Sequence, residues 1–202
     1  MMIALALVLG ALDAAPLGAD PTAGRIDGDL TLTIGAGATL GPRGVRATAD
    51  MRLRLLDSAG IFFGYEDGFG GSAEPTRVLY TGLELRPLFL ARWTQGLELQ
   101  RGFGDLLIDS FGLEIGGVIS QPQNRPMGDR LGLQLGLGIE APLLSRATGP
   151  WIGLHGGIRY SDQGLARGDQ TALDRALYLS ITLAWHQVFA THSVDAGDVG
   201  SH

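Results

Sequence analysis

Between Asp29 and Phe189 the chain divides into eight segments in which apolar residues take every second position and Gly, Thr or charged residues take the positions between. A period of two means a strand with one dry and one wet face. The first segment, Asp29 to Leu40, sets Leu30, Leu32, Ile34, Ala36, Ala38 and Leu40 against Thr31, Thr33, Gly35, Gly37 and Thr39. The second, Val45 to Leu56, sets Val45, Met51, Leu53 and Leu55 against Arg46, Asp50, Arg52 and Arg54. The remaining strands are expected at Ile61–Glu66, Arg77–Arg86, Phe111–Ile119, Leu131–Glu140, Trp151–Ser161 and Arg175–Phe189. Gly41-Pro42-Arg43-Gly44 and Asp57-Ser58-Ala59-Gly60 read as tight turns, and Asp67–Pro75 and Ser120–Asp129 as longer polar loops. No charge falls between the first and the last apolar residue of any apolar phase. The pattern predicts an all-β fold: a closed, antiparallel, up-and-down barrel of about eight strands.

Alternation does not say which face points inward. In a soluble barrel the apolar face is the core, whereas in a transmembrane barrel it meets lipid. Three features favour the transmembrane form. The polar phases hold many glycines, among them Gly35, Gly37, Gly82, Gly116, Gly136 and Gly157, as a narrow bore would require. Their charges nearly balance: Arg46, Arg52, Arg54, Arg86 and Arg159 stand against Asp50, Glu84, Glu114 and Glu140, which suits a confined lumen where a lone charge is costly. Most segments have about 9–11 residues, the length of a tilted strand that crosses hydrocarbon. The alternative is a secreted soluble barrel with ordinary surface charges.

No stretch approaches 18 consecutive apolar residues, so a membrane reading requires strands rather than helices. The chain has 202 residues, 32 of them Gly, and no Cys; all 15 basic residues are Arg. The net charge of −6 argues against a nucleic-acid partner. Residues 1–19 carry an apolar run, Ile3 to Ala11, followed by small residues through Ala19, and read as a secretion signal that lacks the usual basic residue before the run. Residues 20–28 are then an N-terminal periplasmic segment, 29–189 the barrel with an insertion at 87–110, and 190–202 a polar tail. The location implied is the bacterial outer membrane, with membrane lipid and the outer-membrane assembly machinery as partners. No cofactor is implied, and no protein or small-molecule partner is identified.

These eight alternating segments resemble the small eight-stranded outer-membrane barrels, the class that includes the membrane domain of OmpA and the OmpX and OmpW families. The resemblance covers about Asp29 to Phe189 and is architectural, without a diagnostic motif. It implies a membrane-embedded barrel with a structural, adhesive or small-solute role, and no shared chemistry. Such barrels typically end on an aromatic residue, a position Phe189 could fill, although a polar tail follows it.

Pro87 to Ser110 breaks the period of two. Pro87 lacks the N–H that a ladder needs, and the apolar spacing through Phe103, Leu106 and Leu107 shifts towards three to four. A compact non-barrel element at one rim is expected, with a short helix between Phe103 and Phe111; an interfacial helix, a plug and a plain extended hairpin are the readings open. Trp93, Phe103, Tyr160, Trp185 and Phe189 are placed to sit at membrane interfaces. His155 and Ser180 lie on the polar phases of consecutive strands, nearly opposite each other. A Ser beside a His can be nucleophile and base, but a structural hydrogen bond is the simpler role. His192, Asp195, Asp198 and His202 in the tail read as solvated residues rather than a metal site. The functions compatible with these features are a non-enzymatic barrel with a charge-paired lumen, a narrow pore or small-ligand carrier, and a lipid-modifying barrel hydrolase.

Overall fold

The computed structural model describes residues 30–71, 73–95, 97, 102–168 and 174–189. Eight strands follow one another: β1 (Leu30–Gly41), β2 (Gly44–Leu55), β3 (Ala59–Asp67), β4 (Arg77–Leu85), β5 (Gly112–Gln121), β6 (Arg130–Pro142), β7 (Gly149–Ser161) and β8 (Arg175–Phe189). Each pairs antiparallel with its sequence neighbours, and β8 returns to β1 from Leu30↔Phe189 to Leu40↔Leu179, so the barrel is closed. Closure removes the unpaired strand edges that an open sheet would expose. We call the end where β1 begins and β8 ends the lower rim, and the end holding the β1–β2 turn the upper rim. The expected signal, the segment before residue 29 and the tail after Phe189 lie outside the described residues, as does the side chain of Trp93.

The apolar phase points outward. Leu83 is 61% exposed and its neighbour Glu84 3%; Leu135 is 40% exposed and Gln134 1%. The same relation runs along β2, where Leu53 faces out between buried Arg52 and Arg54. Two details depart from the sequence reading. Charges do reach the outward phase, but at the upper rim: Asp67, where β3 runs one residue beyond its expected end, pairs with Arg77 at 3.1 Å, and Arg77 and Arg175 are the opening residues of β4 and β8. The inward phase is also partly apolar, with Phe62, Val78, Tyr80 and Val118 forming a cluster inside the barrel wall. In β3 both phases are apolar around Ile61-Phe62-Phe63, so alternation is silent there.

Other boundaries shift for local reasons. Ala59 and Gly60, expected in a turn, belong to β3. The turn is tighter, with Ser58 N donating to Leu55 O at 3.0 Å and both Leu56 and Asp57 at positive φ, the mirror-image turn that matches strand twist. Arg86 and Phe111 fall just outside their strands.

The rim insertion is not an extended hairpin. It forms two helices, α1 (Pro87–Gln95) and α2 (Gly102–Asp109), the first of which the apolar spacing did not predict. Pro87 opens α1, where its missing N–H would have had no partner in any case. A third helix, α3 (Asp162–Arg167), occupies the β7–β8 connection. Ser161 caps it by accepting from Gly164 N at 3.0 Å.

Inward glycines exist because the bore is narrow. A methyl group added at Gly64 would stand 2.1 Å from the Tyr80 ring, and one at Gly136 2.4 Å from the Tyr178 hydroxyl. At Gly82 it would meet the Ile115 carbonyl oxygen at 2.1 Å, and backbone cannot swing aside as a side chain can. Gly82→Ala is therefore expected to cost about 1–3 kcal/mol of barrel stability through overpacking. The check is the urea midpoint for unfolding from lipid vesicles, with the outward-facing Gly117→Ala, whose added methyl has nothing within 4 Å, as the matched control.

Candidate functional site: the charged lumen

The strands deliver their charges to the bore in three tiers. In the lowest, Arg86 is gripped by Asp57 at 3.0 Å and Glu84 at 3.1 Å, and its third nitrogen donates to Glu140. Arg54 reaches Glu84 at 3.1 Å, Glu140 at 3.0 Å and the Thr33 hydroxyl at 2.9 Å. In the middle tier Arg52 donates to Asp50 at 2.9 Å, Glu114 at 2.6 Å and Glu84 at 3.1 Å. In the upper tier Glu66 takes Arg159 with both oxygens, at 2.7 and 3.0 Å, and Arg46 at 2.8 Å. Arg159 also meets Gln134 at 2.9 Å and lies over the Tyr178 ring at 4.3 Å.

The Arg46, Arg52, Arg54 and Arg86 side chains are nearly dry, and Arg159 keeps only a small exposed part. Arg can satisfy several carboxylates from one planar fork, so it can cross-link strands that are far apart in the wall. Glu84 thus joins three arginines and Glu140 two. The sequence reading brought together Arg46, Asp50, Arg52, Arg54, Glu84, Arg86, Glu114, Glu140 and Arg159, and the structure places all of them in the bore. It missed two acids. Glu66 was identifiable, since it follows Phe62 and Gly64 on the inward phase. Asp57 was not, because alternation says nothing about a turn residue.

His155 and Ser180 are register partners on β7 and β8, yet each bonds elsewhere. The His155 Nδ1 meets Glu114 at 2.8 Å, while Ser180 accepts from the Thr39 hydroxyl at 3.1 Å. His155 Nε2 has no hydrogen-bond partner among the described residues and faces Glu140 at 3.8 Å; His186 Nε2 faces the same carboxylate at 3.6 Å. A Ser–His hydrogen bond, the first requirement of a nucleophile–base pair, is absent among the described contacts. Both side chains are also packed in the bore, at 4% and 5% exposure.

At the lower rim α2 packs against β6 and the β6–β7 turn. Leu106 is fully buried against Ala147 and Trp151, with Val188 beside them, and Trp151 stacks on His186 at 4.3 Å. Ser110 ties the end of α2 to β6: its hydroxyl donates to the Glu140 carbonyl at 2.6 Å and accepts from the Glu140 N–H at 2.9 Å. Arg92 of α1 clamps α2 through Asp105 and through Asp109 at 2.5 Å. Partial desolvation would lower the Arg92 pKa, but these carboxylates outweigh it and hold it above its ordinary value. Phe103 is exposed on α2, and Phe189 and Trp185 lie on the outward phase of β8 near the lower rim. Tyr160 lies on the outward phase of β7 near the upper rim.

Replacing residues 88–109 with a short turn is expected to leave the barrel closed and to uncover Trp151. The measurement is quenching of Trp151 fluorescence by a water-soluble quencher, in a background where Trp93 and Trp185 are Phe. Strong quenching only in the shortened chain is the expected outcome.

Among the described residues no group of three or more His, Cys, Asp or Glu side chains is arranged to hold a metal. No family model matches the chain, and no curated protein does. Among solved structures, the crystal structure of Acinetobacter baumannii CarO2 aligns with a TM-score of 0.43 and 10% identity, covering 78% of this chain and 99% of that one.

Proposed function

We propose that this protein is a bacterial outer-membrane barrel whose lumen is closed by ion pairs, and that it serves a structural or interaction role rather than a catalytic one. The observation that carries this reading is the inversion of sidedness. Leu, Ile, Val and Phe face out all round the wall, while arginines and carboxylates are buried at its centre. In water such an exterior would be a single apolar patch far larger than a soluble protein tolerates. In a bilayer it is the surface required, and a closed barrel leaves no backbone group unpaired in hydrocarbon. A bore filled by mutually paired charges, with Leu106 of α2 packed on Trp151 at one rim, supports a closed state over a water-filled pore.

The test is twofold. Protein folded into lipid vesicles is run on a gel with and without boiling, and the same protein is recorded in a planar bilayer. Heat-modifiable mobility with no unitary conductance is the expected result. Stable ion-conducting steps would favour the narrow-pore reading instead.

A further inference from the structure

The wall is uneven at the upper rim. β8 pairs with β7 as far as Tyr160↔Arg175, but with β1 only as far as Leu40↔Leu179. Ala176, Leu177 and Tyr178 therefore have no β1 residue beside them. The β1–β2 turn, with Pro42 and Arg43 between Gly41 and Gly44, comes where β1 would have continued. The result is a notch in the wall.

Two depressions meet there and share Pro42, Leu177 and Tyr178. The inner one is a cavity of about 60 Å³ at the mouth of the lumen, lined by Arg43 and Arg130 as well as by Arg46 and Arg159. Arg46 and Arg159 are committed to Glu66. Arg43 and Arg130 are different: their guanidinium groups make no ion pair or hydrogen bond with the described residues. The acid at this mouth, Glu74, accepts from Gln123 N at 3.0 Å, and Asp129 pairs with Arg125 at 3.4 Å. Two unpaired cations against one carboxylate leave a local positive excess in a chain that is acidic as a whole. The cavity is small, about 60 Å³. It fits an anionic group, not a whole ligand.

The outer depression is an apolar groove on the outside of β6, β7 and β8. It arises at Gly156, an outward position between Leu137 of β6 and Leu179 of β8, where the flanking outward residues of β7 are Leu154 and Ile158. With no side chain at Gly156 the wall is low there, the Leu179 side chain leaning to 3.3 Å from where a Cβ would stand, and the groove continues from it to Pro42.

We propose that the notch binds one membrane lipid with a phosphomonoester headgroup. Its phosphate meets Arg43 and Arg130, and one acyl chain lies in the groove past Gly156. Arg is suited to this because its fork matches phosphate oxygens in pairs. The size of the inner cavity and the continuity of the two depressions argue for a ligand that is anionic at one end and apolar at the other. This inference rests on the membrane reading given above.

The test is native mass spectrometry of the full chain released from mixed vesicles of phosphatidic acid and phosphatidylcholine with matched chains. Three forms are compared: wild type, the double variant Arg43→Gln/Arg130→Gln, and Gly156→Leu. Wild type should retain one phosphatidic acid in preference to phosphatidylcholine. Each variant should lower that retention by about tenfold or more, the scale of one lost charge-assisted contact. Millimolar inorganic phosphate should not displace the lipid. Equal retention of both lipids, indifference to both variants, or displacement by inorganic phosphate would overturn the proposal. So would a dimer that replaces the lipid adduct and is lost in Gly156→Leu, which would assign the groove to a second copy. Heat-modifiable mobility is measured on the same samples. Absence of lipid preference in wild-type barrels that still insert overturns this inference alone, whereas wild-type protein that never inserts overturns the membrane reading beneath it.

Discussion

Glu140→Ala is expected to destabilise the barrel by about 3–5 kcal/mol, the cost of leaving buried charge uncompensated. Glu140 is 2% exposed and holds Arg54 at 3.0 Å and Arg86 through its other oxygen, with His155 and His186 facing it. Removing the carboxylate leaves two guanidinium groups short of a partner in a space that water does not readily enter. Glu140→Gln should cost less, because the amide oxygen still accepts one hydrogen bond. The measurement is the urea midpoint in vesicles at fixed lipid composition, together with folding yield. A loss below about 1 kcal/mol, the range of solvated ion pairs, would mean that water already reaches the lower tier, and a closed bore would no longer be tenable.

Leu135→Arg is expected to cost about 2–4 kcal/mol if its outward position lies near the bilayer midplane. Leu135 sits on β6 between Gly116-paired Gln134 and Glu114-paired Gly136, both inward, so its own side chain can only face out. Arg at position 135 would find no carboxylate within the wall's outer surface, unlike the arginines of the bore. Folding into vesicles and into detergent micelles separates the causes. A penalty in bilayers that shrinks in micelles, where water and headgroups are closer, is the expected outcome; equal folding free energies for wild type and variant in bilayers would remove lipid contact at this position.

The same logic explains what was readable in advance. Strict alternation identifies faces without needing to know which is inside, so the eight strands and nine of the eleven charged residues described in the bore were legible from residues such as Arg52, Leu53 and Arg54 in sequence. Sidedness was legible too, because glycines at positions such as Gly136 make sense only under a large inward side chain, here Tyr178. Partner choice was not. Register puts His155 beside Ser180, but a side chain in a narrow bore reaches across it, and His155 selects Glu114 from β5. Asp57 escaped because a turn has no phase. α1 escaped because Leu88, Phe89 and Leu90 are consecutive and apolar, which carries no helical period, and its stability comes from Pro87 at its start and from the Arg92 clamp onto α2. The notch at Pro42 depends on a difference in strand ends between β1 and β8 that no single strand's pattern contains.

The most direct test of the central claim uses the absence of native Cys. Single cysteines are placed at 131, 133, 135, 137 and 139, the outward positions of β6, and spin-labelled in bilayers. Collision with dissolved oxygen and with a water-soluble nickel chelate is then measured at each. The account predicts that oxygen dominates at 133, 135 and 137 and that the chelate gains ground only towards Leu131 at the upper rim. Strong chelate collision at all five positions would show an exterior bathed in water, and would contradict it.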